Sequence, residues 1–168
     1  MDLVLANGEN AAGGFGLTQQ TADEMFAAGV DFLTSGNHIW DKREFRDALD
    51  ETDRIIRPAN YPPGSPGRGS GIVDAGGVRV GVLNLMGRVF MPTVDDPFRM
   101  AREMVAQLRE QTTVVVVDMH AEASSEKMAM ARFLDGSVAF VYGAHTPVQT
   151  SDEQILSGVR IGHPSLGE

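Results

Sequence analysis

An α/β fold of packed mixed β-sheets flanked by helices is what this 168-residue chain predicts. Three observations carry the expectation. Short aliphatic runs alternate with amphipathic stretches along the whole chain, the pattern of an α/β class. Some runs, Val114 to Val117 above all, are purely apolar, as strands covered on both faces are. Polar residues then recur where these runs end: Glu9 and Asn10 after Leu3-Val4-Leu5, and Asn37 and His38 after Asp31-Phe32-Leu33-Thr34. Asp118 and His120 follow Val114 to Val117, and His145 follows Val138 to Tyr142. In an open α/β sheet the carboxyl ends of the strands face one crevice, so such residues converge there. Carboxylate, amide and imidazole gathered at one crevice are ligands for a divalent metal.

The elements follow in order. After the first strand comes a glycine-rich loop, Ala11 to Gly16. A helix starts near Thr18 or Thr21, where Thr21 and Glu24 form a capping-box pattern, and Gly29 suits its end. A short helix is expected from about Asp41, with Phe45 and Leu49 facing inward. Pro58, Pro62, Pro63, Pro66 and the intervening glycines make 57–71 a long loop. Gly71 to Asp74 and Val78 to Leu85 flank Ala75-Gly76-Gly77 as a hairpin, which adds antiparallel pairing. Asp95-Asp96-Pro97 reads as a helix start, with Phe98, Ala101, Met104, Val105 and Leu108 at helical spacing. A further amphipathic helix runs from about Ser125 to Leu134. The whole is expected as a single domain, 1–168, large enough to bury a core.

Composition narrows the function. Lys plus Arg is 14 against 23 for Asp plus Glu, a net charge of −9, which argues against a phosphate-tracking surface for long nucleic acid. A small phosphorylated substrate stays compatible, because a bound cation reverses the local field. With no cysteine, there is no disulfide, thiolate zinc site or cysteine nucleophile. No apolar run approaches the roughly 20 residues a membrane span needs. Met1-Asp2 does not open a secretion signal. A cytoplasmic protein is the expectation, and homo-oligomerisation is left open.

Each motif has a plainer reading. Taken alone, Gly36-Asn37-His38 before Trp40-Asp41 reads first as a turn, with Asn37 left-handed and His38 capping a helix. Asp118 and His120, two apart on an extended segment, point to one side, so one can ligate while the other orients it. His120-Ala121-Glu122 also matches half of a zinc deaminase signature, which fails for want of its cysteines. Gly13 to Gly16 completes neither a phosphate-binding loop nor a dinucleotide fingerprint. Gly64 to Gly71, with Arg68, reads as a solvated loop before a mobile lid. Met100, Met104, Met128 and Met130 read as core, and His163 is given no role.

Taken together, longer stretches resemble the calcineurin-like metallophosphoesterases, in particular their YmdB-like branch. They are Ala6-Asn7-Gly8-Glu9-Asn10-Ala11-Ala12-Gly13-Gly14, Gly36-Asn37-His38 with Trp40-Asp41, and Arg57-Pro58-Ala59-Asn60. Phe90-Met91-Pro92, Asp95-Asp96-Pro97-Phe98, His120-Ala121-Glu122 with Ser125-Glu126-Lys127, and His145-Thr146 with Val148-Gln149-Thr150 continue the likeness. It runs from Leu3 to about Leu156. The resemblance implies a dinuclear centre, commonly iron or manganese, and hydrolysis of phosphoesters, including cyclic nucleotides. It implies that Glu9 bridges two metals, that Asn37, His120 and His145 complete one site, and that Asn10 lies at or beside the other. His38 is implied as the general acid for the leaving oxygen.

Two departures stand out. The family has a strand ending in a metal-binding Asp before the segment matching Leu3 to Leu5. It also reads His-Thr-His where this chain has His145-Thr146-Pro147, and proline has no lone pair to offer. Both losses fall on one metal. One ion held well, a second held poorly, and hydrolysis impaired are therefore expected. So are missing terminal strands, with truncation of a longer product as one explanation and a non-catalytic metal- or nucleotide-binding relic as the alternative to an active enzyme.

Overall fold

The computed structural model describes residues 2–157 and 161–162, so His163 lies outside the described residues. Strand β1 (Leu5–Asn7) pairs in parallel with β2 (Phe32–Thr34). A second sheet orders β3 (Ser70–Ala75), β4 (Val78–Met86), β5 (Val114–Ala121) and β6 (Phe140–His145). Its first pair is antiparallel and the other two are parallel, so the sheet is mixed as expected. Strands β7 (Gln154–Ile155) and β8 (Ile161–Gly162) form a short antiparallel pair.

Alternation along the strands builds the layers. On one face of the four-stranded sheet, Leu83, Leu85, Val115, Val117 and Met119 pack against helices α3 (Pro97–Arg109) and α4 (Ser124–Phe133) through Ala101, Val105, Leu108, Met130 and Ala131. On the other face, Val80, Val82 and Val116 pack against Phe32 and Leu5 of the small sheet. The far side of the small sheet buries Leu33 against Leu17, Ala22, Phe45 and Leu49, from helix α1 (Gln19–Ala27), helix α2 (Arg43–Arg46), the short 3₁₀ turn Ala48–Asp50 and the loop before α1. The order is helices, sheet, sheet, helices.

The layer between the sheets changes character along its length. At the amino ends of β4 and β5 it is valine. Towards the carboxyl ends the same face carries Asn84, Asp118 and His120, opposite Thr34 and Ser35, all fully buried. Buried polar groups are tolerated only when partnered, so the polar end of an otherwise apolar layer marks the site.

Local chemistry sets the element ends. The capping box of α1 uses Thr18 and Thr21, one turn earlier than the expected Thr21–Glu24 pair. Gly29, at φ +102, closes that helix: its amide reaches Phe26 O and that of Val30 reaches Met25 O, both orphan carbonyls of the last turn. Asp96 caps α3 through the amides of Phe98 and Arg99, with Pro97 in the first turn. Gly76 and Gly77, both at positive φ, make the two-residue hairpin turn. The loop 57–69 is tied down and is no lid: Arg57 donates to the carbonyls of Pro58, Ser65 and Pro66, Gly67 N to Asp50, and Arg68 pairs with Asp53. Met130 is buried in the core and Met100 and Met104 pack against it as expected, whereas Met128, half-buried at the surface of α4, is not among the core residues.

Two expected boundaries need correction. Asp118 and His120 lie within β5, because β4 pairs with it as far as His120 and β6 as far as Ala121. The second helix starts at Arg43, with Lys42 rather than Asp41 at the position before it and no side-chain cap; the carboxylate of Asp41 is engaged by His38. Asn37 is not left-handed either; among the described residues the non-glycine positive φ values belong to Phe90 and His145.

Candidate metal centre

Four loops and strand ends bring their side chains to one point. Glu9 stands two residues after β1, Asn37 three after β2, His120 near the end of β5 and His145 at the end of β6. His120 Nε2 lies 3.0 Å from Asn37 Oδ1, 3.1 Å from Glu9 Oε1 and 3.1 Å from His145 Nδ1. A ring nitrogen carries at most one proton, so it cannot satisfy three neighbours by donating. Three lone-pair atoms crowded about a fourth is the disposition of ligands around a shared cation. Adjacent ligands of an octahedral ion held at about 2.1 Å would stand about 3.0 Å apart, which matches these spacings. Glu9, His120 and His145 present ligand atoms all within 4.8 Å of one another.

Several other features fit a cation. Glu9 Oε1 and Asn10 Oδ1 are buried without a hydrogen bond. A Cβ on Gly36 would stand 2.2 Å from the His120 ring and 2.3 Å from Glu9 Oε2, so only glycine leaves the cradle open. Burial works to raise the Glu9 carboxyl, yet the contact and charge of His120, with the amide and charge of His38, outweigh it and hold Glu9 below the ordinary value. Glu9 is thus a buried carboxyl held towards its ionised form by the imidazoles beside it.

Strand alternation would turn His145 to the helix-facing side with Val141. Its φ of +89 breaks the alternation, and Nδ1 turns to His120. Its other nitrogen, Nε2, lies 3.1 Å from Glu122 Oε2, the carboxylate–imidazole relay that orients metal ligands. Lys127 of α4 donates to Thr146 Oγ1 at 2.8 Å and fastens the next residue. Strained backbone of this kind persists only where its surroundings hold it.

Asp118 is placed otherwise than as an orienting partner for His120. It makes no hydrogen bond to that ring; Asn7 Nδ2 approaches it at 3.5 Å and Thr34, whose hydroxyl meets that of Tyr142 at 3.4 Å, stands beside it. Burial pushes its carboxyl up to about 6, against the charge of His120 and these contacts. His38 stands to one side, its amide on Glu9 Oε2 at 3.2 Å and its Nδ1 2.7 Å from Asp41 Oδ2.

The family model of the YmdB-like proteins matches residues 1–161. The chain belongs to the YmdB-like family. It is 46% identical over 153 residues to the 2′,3′-cyclic-nucleotide 2′-phosphodiesterase of Bacillus subtilis (strain 168), covering 91% of this chain and 58% of that protein. A hypothetical protein from Thermus thermophilus superposes with a TM-score of 0.93 at 44% identity, over 99% of this chain and 65% of the other. A phosphatase of Mycoplasma pneumoniae does so with a TM-score of 0.89 at 30% identity, over 99% and 60%. The chain spans less than two thirds of each of these relatives. The family expected from the sequence and its metallophosphoesterase fold are those found.

In this YmdB-like chain, sequence reasoning named the four converging residues and missed their supports. Glu122 falls in the family-like stretch and in a rejected deaminase motif but was given no role, although its spacing from His120 placed it just past the same strand end. Asp41, three residues after His38, was read as a helix start. Gly36 falls within Gly36-Asn37-His38 but was given no role of its own.

Proposed function

We propose that this chain belongs to a phosphodiesterase in which Glu9, Asn37, His120 and His145 hold a divalent ion, iron or manganese, and a small phosphorylated substrate such as a cyclic nucleotide is hydrolysed. The observation that carries the reading is the ring of lone-pair atoms about His120 Nε2. A divalent ion there supplies charge against phosphoryl oxygens and makes water a better nucleophile. Glu9 contributes the compensating negative charge and Asn37 a neutral oxygen. Glu122 holds the imidazole of His145 in the tautomer that leaves Nδ1 unprotonated. Asn10, with its unpartnered buried oxygen, stands beside Glu9 in the role of a neighbouring ligand.

His38 is the proposed general acid. Asp41 takes the proton side of Nδ1, so in the protonated ring Nε2 carries the transferable proton. Water adds its oxygen to phosphorus and gives up one proton to solvent, one ester P–O bond of the cyclic phosphate breaks, and the leaving ribose oxygen takes the proton of His38 Nε2. The product is a monoester, and the ring is reprotonated from solvent. The cytoplasm is the compartment this reading assumes; among the described residues no helix is long and apolar enough to cross a membrane.

Pro147 supports a second reading, a relic that binds a metal or nucleotide without turnover, because it cannot supply a ligand two residues past His145. Metal analysis and hydrolysis of 2′,3′-cyclic AMP with added manganese, before and after Pro147→His, separate the two. Turnover by the unaltered chain supports the enzyme. One tightly held ion without turnover, with activity gained in Pro147→His, supports the relic.

A further inference from the structure

We propose that Phe90 is the platform on which the nucleobase of the substrate stacks, an inference that rests on the phosphodiesterase reading above. Phe90 is 90% exposed and has φ +60. A bulky residue in the left-handed region is a backbone outlier that carries a cost. An aromatic ring in water returns nothing to folding, and this ring makes no ring contact with any described residue. Phe15, also exposed, differs because its ring lies against His38, 5.1 Å between centroids.

The segment that carries Phe90 is built, not loose. Glu126, in the first turn of α4, accepts the amides of Arg88 at 3.0 Å and Val89 at 3.1 Å. Gly87 N donates to the carbonyl of His120 at 2.9 Å. A Cβ on Gly87 would stand 2.5 Å from Glu126 Oε2 and 2.7 Å from Ala121 Cβ, so glycine is what lets the segment sit so close. Its position follows from register: Met86 pairs with His120, and Phe90 lies three residues beyond Gly87, within about 11 Å of it. The backbone of Phe90 therefore lies past the carboxyl ends of β4 and β5, on the same rim of the sheet that carries His120 and His145.

What such a ring fits is another flat, π-bearing group brought to that rim by the phosphoester beside it. A nucleobase meets both conditions, and aromatic stacking on a base tolerates any sequence because every base has a face to offer.

The test compares 2′,3′-cyclic AMP with ribose 2′,3′-cyclic phosphate, which lacks the base, on the unaltered chain, Phe90→Gly and Phe90→Trp. In Phe90→Gly the KM for cyclic AMP should rise about tenfold, with kcat and the base-less substrate unchanged. Thermal stability should hold or rise, since glycine accepts that backbone. Phe90→Trp should restore the KM. Equal losses on both substrates, or no change on cyclic AMP, would overturn the proposal. If the unaltered chain hydrolyses neither compound, the phosphodiesterase reading fails separately, and equilibrium dialysis of the same two ligands decides Phe90. A preference for the base-bearing ligand that Phe90→Gly abolishes supports stacking; no preference overturns it. Self-association lost in Phe90→Gly, with no base preference, would assign the ring to a second copy instead and overturn it as well.

Discussion

Asp41 Oδ2 and His38 Nδ1 are 2.7 Å apart, three residues along one turn, with both side chains partly open to water. A carboxylate at that distance fixes which ring nitrogen holds the proton and leaves Nε2 for the proton transfer proposed above. The first prediction follows. Asp41→Asn and His38→Ala should lower hydrolysis of 2′,3′-cyclic AMP by about 10²–10⁴-fold, the usual worth of general acid catalysis. An ester with a 4-nitrophenolate leaving group needs no proton and should be spared. Metal content should not change. Equal loss on both substrates would remove His38 from the role of acid.

Gly36 leaves room for the proposed ion site by what it lacks. With a Cβ 2.2 Å from the His120 ring, the ring or Glu9 must shift. Gly36→Ala should therefore lose the stabilisation that a bound ion confers, about 2.7 kcal/mol at a hundredfold excess over its dissociation constant. The measurement is a thermal melt with and without manganese. Asn37→Ala, a milder change at a half-buried position, should weaken the same response. A manganese-dependent shift that survives in both variants would place the ion elsewhere.

Glu122 touches the proposed ion site through His145, across 3.1 Å between Oε2 and Nε2. Glu122→Gln keeps the shape and removes the charge. Orienting partners of this kind are worth about 10- to 100-fold in metal affinity, so manganese titration should show a loss of that size. Its melting temperature without metal should be unchanged, since Glu122 is exposed. Unchanged affinity would make the contact incidental.

The parts legible in the sequence were those with a periodic or compositional signature. Apolar alternation exposed the strands, Asp96-Pro97 exposed the start of α3, and polar residues at strand ends exposed Glu9, Asn37, His120 and His145. What escaped depends on three-dimensional coincidence. Alternation alone sends His145 to the wrong face, and only its positive φ corrects this. Asp118 and His120 looked like partners because they share a strand face. Yet side chains two apart on one strand stand side by side, and each finds its neighbours on the opposite sheet. The β1–β2 sheet supplies those neighbours, through Asn7 and Thr34 to Asp118 and through the loops after each strand to His120.

The chain's two tyrosines supply a test of the packing that needs no ion and no substrate. Burial, aided by the charges of Glu9 and Asp41 and opposed by Arg57, pushes Tyr61 up to about 12. Burial and the neighbouring Asp118 push Tyr142 well above its ordinary value, with the bond to Thr34 opposing. In the unfolded chain both phenols ionise near about 10. Between that pH and the folded values the unfolded state holds fewer protons, so stability falls as pH rises. The contribution is fully present below about 10 and is lost through about 12 for Tyr61. Near-ultraviolet titration of the native chain should therefore show no phenolate at a pH where the denatured chain is half ionised. Tyr61→Phe should remove the earlier of the two native transitions and lessen the alkaline loss of stability. A tyrosine that ionises reversibly near about 10 in the folded chain would mean that the layer joining Asp118, Thr34 and Tyr142, or the wall holding Tyr61 near Glu9, is open to water.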